Sequence, residues 1–156
     1  MTLVQLRQPQ SERADLCASA DLPPPRPDGQ DRYTISEVSA HSGLSVHTLR
    51  WYERIGLLPN VDRSHTGQRR YTNADLSWLA LVSKLRLTGM AVADMVRYAE
   101  LVRQGDHTTA ERRELLSTTR EDVLRRIAEL QSTLAVLDFK IDLYSDDDTP
   151  GVSERN

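Results

Sequence analysis

The sequence predicts a mostly α-helical protein built as a winged helix-turn-helix head followed by one long C-terminal coiled-coil helix. Two short apolar-periodic segments separated at Gly43 give the helix-turn-helix. A polar, turn-rich stretch ending in Gln68-Arg69-Arg70-Tyr71 gives the wing, and a heptad seam that reaches Tyr144 gives the coil.

Residues 1–31 hold Pro9, Pro23, Pro24, Pro25 and Pro27 among small and charged side chains, without a sustained apolar period. Such a stretch has too little apolar surface to offset the entropy of ordering, so a disordered tail is expected there. The head is expected over residues 32–104. Thr34 and Glu37 have capping-box spacing, and Ile35 and Val38 lie one turn apart on the face to be buried, so a short helix should run to about Ser42. After Gly43, Ser45 is placed to cap a second helix over residues 46–55, with Val46 and Leu49 continuing the apolar stripe. Gly56 and Pro59 close it. Residues 60–71 read as a hairpin, with Asn60, Asp62, Ser64 and Gly67 as turn formers. Thr72 and Asp75 repeat the capping-box spacing before a third helix carrying Leu76, Leu79, Val82 and Leu85 to Gly89. A fourth, over residues 92–104, puts Met95, Tyr98 and Val102 on one face.

The coil is expected over residues 105–145. Leu116 leads, and Val123, Ile127, Leu130, Leu134, Leu137, Ile141 and Tyr144 follow at steps of four and three. A helix from about Ala110 to Tyr144 would span roughly 50 Å at about 1.5 Å per residue, too long for so small a head to cover, so the seam points to a homodimer. The alternative is one amphipathic helix folded back on its own head. Glu121 with Arg125 and Asp122 with Arg126 have the spacing of ion pairs on this helix. Residues 146–156 should be a disordered acidic tail.

Composition narrows the function. The 156 residues carry a formal charge of −3, with 38% hydrophobic and 28% charged residues. That average hides a polarised chain. From Arg32 to Met90 there are eight Lys/Arg against four Asp/Glu, a local +4, and from Gly105 to Asn156 seven against twelve, a local −5. Phosphate attraction is screened over about 10 Å at ordinary salt, so the basic segment can bind nucleic acid while the acidic end stays away. The one cysteine, Cys17, lies in the tail with no neighbouring base and excludes a disulfide framework or a multi-thiolate metal site within one chain. His41, His47, His65 and His107 have no ligand spacing. With no phosphate-cradling glycine loop or nucleophile elbow, neither an enzyme nor a cofactor is expected. Met1 to Gln10 has no signal-peptide core and no stretch approaches a membrane span, which predicts a cytoplasmic protein.

His47, Thr48, Arg50, Trp51 and Arg54 project from the second helix away from Val46 and Leu49, a face suited to a major groove. His47 and Thr48, near the helix start, are placed for base edges, and for His47 the competing reading is a solvated surface residue. Trp51 fits either a DNA contact or the core, and Tyr52 sits between the two faces. Arg63, Arg69, Arg70 and Tyr71 belong to the hairpin, where arginines suit phosphate oxygens or a narrow minor groove.

The runs Tyr33-Thr34-Ile35-Ser36-Glu37-Val38, Gly43-Leu44-Ser45-Val46, Thr48 to Pro59 and Arg69-Arg70-Tyr71, then Asp75-Leu76, Leu85-Arg86 and Gly89-Met90, resemble in order and spacing the DNA-binding head of the MerR (mercury-resistance regulator) family. The long helix is similar to that family's antiparallel dimerisation coil. The resemblance covers about residues 33–144 and implies a bacterial transcriptional regulator that binds double-stranded promoter DNA as a homodimer. It further implies distortion of the promoter spacer so that RNA polymerase holoenzyme engages both of its recognition elements, and a phosphate contact for Arg50. Trp51 stands where the family usually has tyrosine, and Gln68 where many relatives have tyrosine. Metal-sensing relatives use cysteines in segments that have none here, and Lys84 stands where electrophile-sensing relatives carry a reactive cysteine, so the resemblance leaves any effector unassigned. Two other classes share parts of the pattern: an architectural DNA-bending protein without an effector, and a coiled-coil adaptor whose head binds protein. An adaptor would not need Arg50, Arg69, Arg70 and Tyr71.

Overall fold

A computed structural model of the chain describes residues 25–27, 29–58 and 61–147. Most of the expected tail, with Cys17, lies outside the described residues, as do Pro59, Asn60 and residues 148–156. Helix α1 is Ile35–Ser42, α2 is Val46–Arg54, a two-stranded wing pairs β1 (Asp62–Arg63) with β2 (Arg69–Arg70), and α3 (Asn73–Leu87) and α4 (Val92–Gln104) follow. A 3₁₀ turn, Asp106–Thr108, leads into α5, Thr109–Asp147.

The helix starts follow from side-chain chemistry. The Thr34 hydroxyl accepts from the Glu37 N–H while the Glu37 carboxylate accepts from the Thr34 N–H at 2.7 Å, closing a full capping box. Thr72 and Asp75 do the same for α3, and the Ser45 hydroxyl caps α2 by accepting from the Thr48 N–H at 3.0 Å. Gly43 ends α1 at φ 68, a left-handed conformation that costs a side-chain-bearing residue energy, and this lets α2 begin after two residues.

The wing strands are antiparallel, with Asp62 opposite Arg70 and Arg63 opposite Arg69. Tyr33, just ahead of α1, extends that pairing by exchanging two backbone hydrogen bonds with Tyr71, at 2.8 and 2.9 Å. The core collects Val38 of α1, Leu49 and Tyr52 of α2, and Leu57, Leu58 and Val61. It continues through Tyr33, Tyr71, Leu76, Leu79, Val82 and Leu85 to Met95, Ala99 and Leu101. Ile35, expected on the buried face, is only half-buried, because the first residue of α1 sits at the rim of the head.

Three boundaries differ from those the sequence pattern suggests. Helix α2 stops at Arg54, one residue short, where Ile55 leaves the helix ahead of the reversal at Gly56 (φ 81). Helix α5 continues to Asp147, into the segment assigned to the acidic tail, since no helix-breaking residue intervenes before Pro150. Residues 25–27 and 29–31, grouped with the tail by composition, hold defined hydrogen bonds to the head through Arg26 and Asp31.

The chain divides after Leu115. In the second unit, Ile127, Leu130, Leu134, Leu137, Ile141 and Tyr144 are all exposed, and Val123 is half-buried. At 3.6 residues per turn they share one side of the helix, while Val136, Phe139 and Leu143, also exposed, fall on the opposite side. Among the described residues, Asp122 pairs with Arg125, three residues on, at 2.8 Å.

Candidate nucleic-acid interface

Helix α2 turns Leu49 and Tyr52 inward and leaves His47, Arg50, Trp51 and Arg54 exposed, a spacing of three and four residues that gathers them on one outer face. Thr48 is half-buried beside the cap, its hydroxyl 2.9 Å from that of Ser45. Trp51 is 36% exposed and leans against Tyr52, ring centroids 5.6 Å apart, so it belongs to the surface and not to the core.

The packing behind α2 fixes where that face lies. Arg86 of α3 donates to the Tyr52 hydroxyl at 2.8 Å. Beyond the helix end, the Trp78 indole donates to the Leu57 carbonyl and Arg103 of α4 donates to the Gly56 carbonyl, both at 2.7 Å. Trp78 is itself stacked on Tyr98, at 5.9 Å and 6° between planes. Helices α3 and α4 thus hold both the middle and the exit of α2.

The wing is tied to α2 by one acid. Glu53 pairs with Arg69 Nε and with Arg63 Nη2, the latter at 3.5 Å, and Arg63 also donates to the Gly67 carbonyl at 3.1 Å across the hairpin. Arg70 is half-buried and donates to the Gln68 side chain at 3.3 Å. A cleft of about 440 Å³ opens between the first turn of α1 and the wing, lined by Thr34, Ile35, Ser36, Arg50, Gly67, Gln68, Arg69 and Arg70. Arg50, Arg69, Arg70 and the amino end of a helix line one concavity, and with Arg69 paired to Glu53 the cationic character of the cleft comes mainly from Arg50 and Arg70, an arrangement that favours an anion.

Two candidate residues are placed elsewhere. Tyr52 and Tyr71 are 2% and 0% exposed, so neither is offered to a ligand on this surface. Tyr52 packs under α2, and Tyr71 lies beneath the wing base, where its ladder with Tyr33 directs the ring into the core. The Tyr71 hydroxyl has no hydrogen-bond partner among the described residues. Burial first, then the nearby Glu53 charge, pushes its pKa up to about 12.

Sequence patterns passed over Glu53, Trp78 and Arg103, which organise the face without forming it, and the first turn of α1 as part of the cleft. Glu53 had a visible signal: it is the only acid in a helix holding Arg50 and Arg54, and the hairpin that follows carries three arginines. Trp78 and Arg103 had none, since their partners are backbone carbonyls far along the chain.

A short outward helix on a helix-turn-helix, a cationic hairpin beside it and an anion-attracting cleft between that hairpin and the first turn of α1 define a winged helix-turn-helix DNA-binding protein. A model of the MerR HTH regulatory protein family matches residues 33–102, and one for the MerR DNA-binding region matches residues 76–138. An uncharacterised HTH-type transcriptional regulator of Haemophilus influenzae is 42% identical over 112 residues, covering 72% of this chain and 83% of that protein. The crystal structure of HiNmlR, a MerR family regulator lacking the sensor domain, bound to promoter DNA, is 40% identical with a TM-score of 0.69, covering 77% of this chain and 95% of that one. A Listeria monocytogenes structure described as a MerR family transcriptional regulator is likewise 40% identical at TM-score 0.69, over 72% of this chain and 86% of that one. The chain belongs to the MerR family of helix-turn-helix regulatory proteins and is a DNA-binding transcriptional regulator, not an enzyme.

Proposed function

We propose that the protein binds promoter DNA in the bacterial cytoplasm as a homodimer paired through an antiparallel α5 coil, and distorts the promoter spacer so that RNA polymerase holoenzyme engages it. The observation that carries the DNA-binding geometry is the cleft: Arg50, Arg69 and Arg70 line it together with the first turn of α1, which suits it as a seat for one backbone phosphate next to the outer face of α2. His47 and Thr48, at the start of α2, then meet base edges, Arg50 and Trp51 meet phosphate and sugar, and Arg63, Arg69 and Arg70 carry the wing along the adjacent backbone. Glu53 supports this by pairing with Arg63 and Arg69, which keeps the hairpin against the recognition helix instead of loose in solvent.

The dimer is supported by the apolar side of α5. Fully burying each exposed leucine or isoleucine of the seam is worth about 1.5–3 kcal/mol, and a partner helix is the surface that can cover a single straight row. Two recognition faces on one dimer require a two-fold-related site, and deformation of the intervening DNA costs on the order of several kcal/mol, offset by contacts made only to the distorted form.

The test is DNase footprinting on DNA from the protein's own promoter region, combined with in-vitro transcription. The expected result is one protected site with two-fold symmetry overlapping the spacer, with enhanced cleavage at its centre. Protection of a single half-site, or of a site away from the spacer, would overturn the proposal.

A further inference from the structure

Arg26 lies upstream of the segment that carries the family match, which begins at residue 33. It is nonetheless one of the most firmly held residues on the head. Its backbone N–H donates to the Tyr33 hydroxyl at 3.2 Å and to the Asn73 side-chain oxygen at 3.3 Å, and its carbonyl accepts from the Asn73 amide at 2.8 Å. Its guanidinium lies 4.1 Å from the centre of the Tyr33 ring, donates to the Arg32 carbonyl at 2.7 Å, and pairs with Glu37 at 2.6 Å.

The partner gives this anchoring a purpose. Glu37 is needed to start α1, because its carboxylate closes the capping box on Thr34. The same carboxylate is built into the turn whose residues Thr34, Ile35 and Ser36 line the cleft with Arg50, Arg69 and Arg70. Bonding to the Thr34 N–H and then to Arg26 holds its pKa down to about 2, so it is charged at any pH at which the protein meets DNA. The Glu37 carboxylate thus puts a fixed negative charge against the backbone of Thr34, a residue that lines the cleft. We infer that Arg26 is a positioning residue for DNA binding: by pairing with Glu37 it cancels the charge built into the first turn of α1 and keeps the cleft attractive to phosphate.

The pair is more than one-third exposed on both sides, so its direct contribution to folding is small and its main effect is on the local field. Coulomb's law for unit charges roughly 6 Å apart in water-like surroundings gives about a threefold loss of DNA affinity per half-site when Arg26 is neutralised, or roughly tenfold when both half-sites of a dimer are engaged. Gln at position 37 keeps the capping box and removes the charge. Restoring affinity by that second change separates an electrostatic role of Arg26 from a packing role.

This inference rests on the cleft being the phosphate seat, and the experiment separates the two. Binding of the full chain to a fluorescein-labelled random-sequence duplex is followed by anisotropy at low salt for R26Q, R26K, E37Q, R26Q/E37Q and R50A, with thermal melts confirming that each is folded. The expected pattern is a loss of about three- to tenfold or more for R26Q, wild-type affinity for R26K, affinity no weaker than wild type for E37Q, and recovery to within about twofold in R26Q/E37Q. Equal loss in R26Q and R26Q/E37Q, or none in R26Q, overturns the inference while leaving the seat in place if R50A still weakens binding. An R50A variant that binds like wild type overturns the seat and the inference together.

Discussion

Glu53 and Glu37 do opposite work with the same functional group. Glu53 uses its carboxylate to hold two wing arginines beside α2, and Glu37 uses its own to start α1. Glu53→Gln therefore leaves the hairpin held mainly by its own strand pairing. Trypsin cleavage at Arg69 or Arg70 is expected to quicken roughly fivefold, the equivalent of losing about 1 kcal/mol from a half-exposed pair; an unchanged cleavage rate would show that the pair holds nothing. The two shifted groups set a pH window. Glu37, ionised in the folded state down to about 2, contributes stability that is present above the ordinary carboxylate value of 4.5 and is lost as pH falls from there toward 2. Tyr71, whose folded-state pKa is raised from 10.0 to about 12, contributes stability present below 10 and lost as pH rises through 12. In urea melts across pH, E37Q should flatten the acid limb and Tyr71→Phe the alkaline limb; an acid limb unchanged by E37Q would contradict the first assignment. At this scale the sequence was legible where chemistry is local: the outward set His47, Arg50, Trp51 and Arg54 follows from helical spacing alone. Tyr52 and Tyr71 were not, because an aromatic within two residues of an arginine has the same local pattern whether it faces DNA or the core.

Among the elements, the caps could be read almost completely, since a Thr or Ser three residues before the N–H it accepts is a short-range pattern. The supports behind α2 could not, because the Trp78 to Leu57 and Arg103 to Gly56 bonds join side chains to carbonyls 21 and 47 residues away. Nor could the docking of residues 25–27 on the head, which depends on Asn73, 47 residues beyond Arg26. Trp78→Phe keeps a ring to stack on Tyr98 but leaves the buried Leu57 carbonyl without its donor. It should lower stability by about 1–3 kcal/mol in a chemical melt. Because that bond also fixes the exit of α2, DNA affinity at a temperature where the variant is fully folded should fall as well; full affinity there would show that α3 does not position the recognition helix.

At the scale of the whole molecule, charge and hydrophobicity are divided along the chain: a local +4 in the head region and an apolar row on a helix whose segment is locally −5. That polarity fits the proposed division of labour, in which the head approaches DNA and the helix pairs with a second copy. Leu130→Asp with Leu137→Asp places charges in the middle of the seam and should shift sedimentation from dimer to monomer at micromolar concentration; a retained dimer would place the interface on another face. The proposal that the α2 face and the adjoining cleft bind the DNA backbone through arginine is tested most directly by affinity for promoter DNA across a salt series, wild type beside R50A/R70A. Wild type should show a steep log–log slope. The variant should bind more weakly, with the slope reduced by about 0.9 for each phosphate no longer neutralised, or roughly 3 to 4 for a dimer that gives up two on each side. Identical slopes and affinities in the two proteins would contradict the account, because DNA would then be held by some other surface.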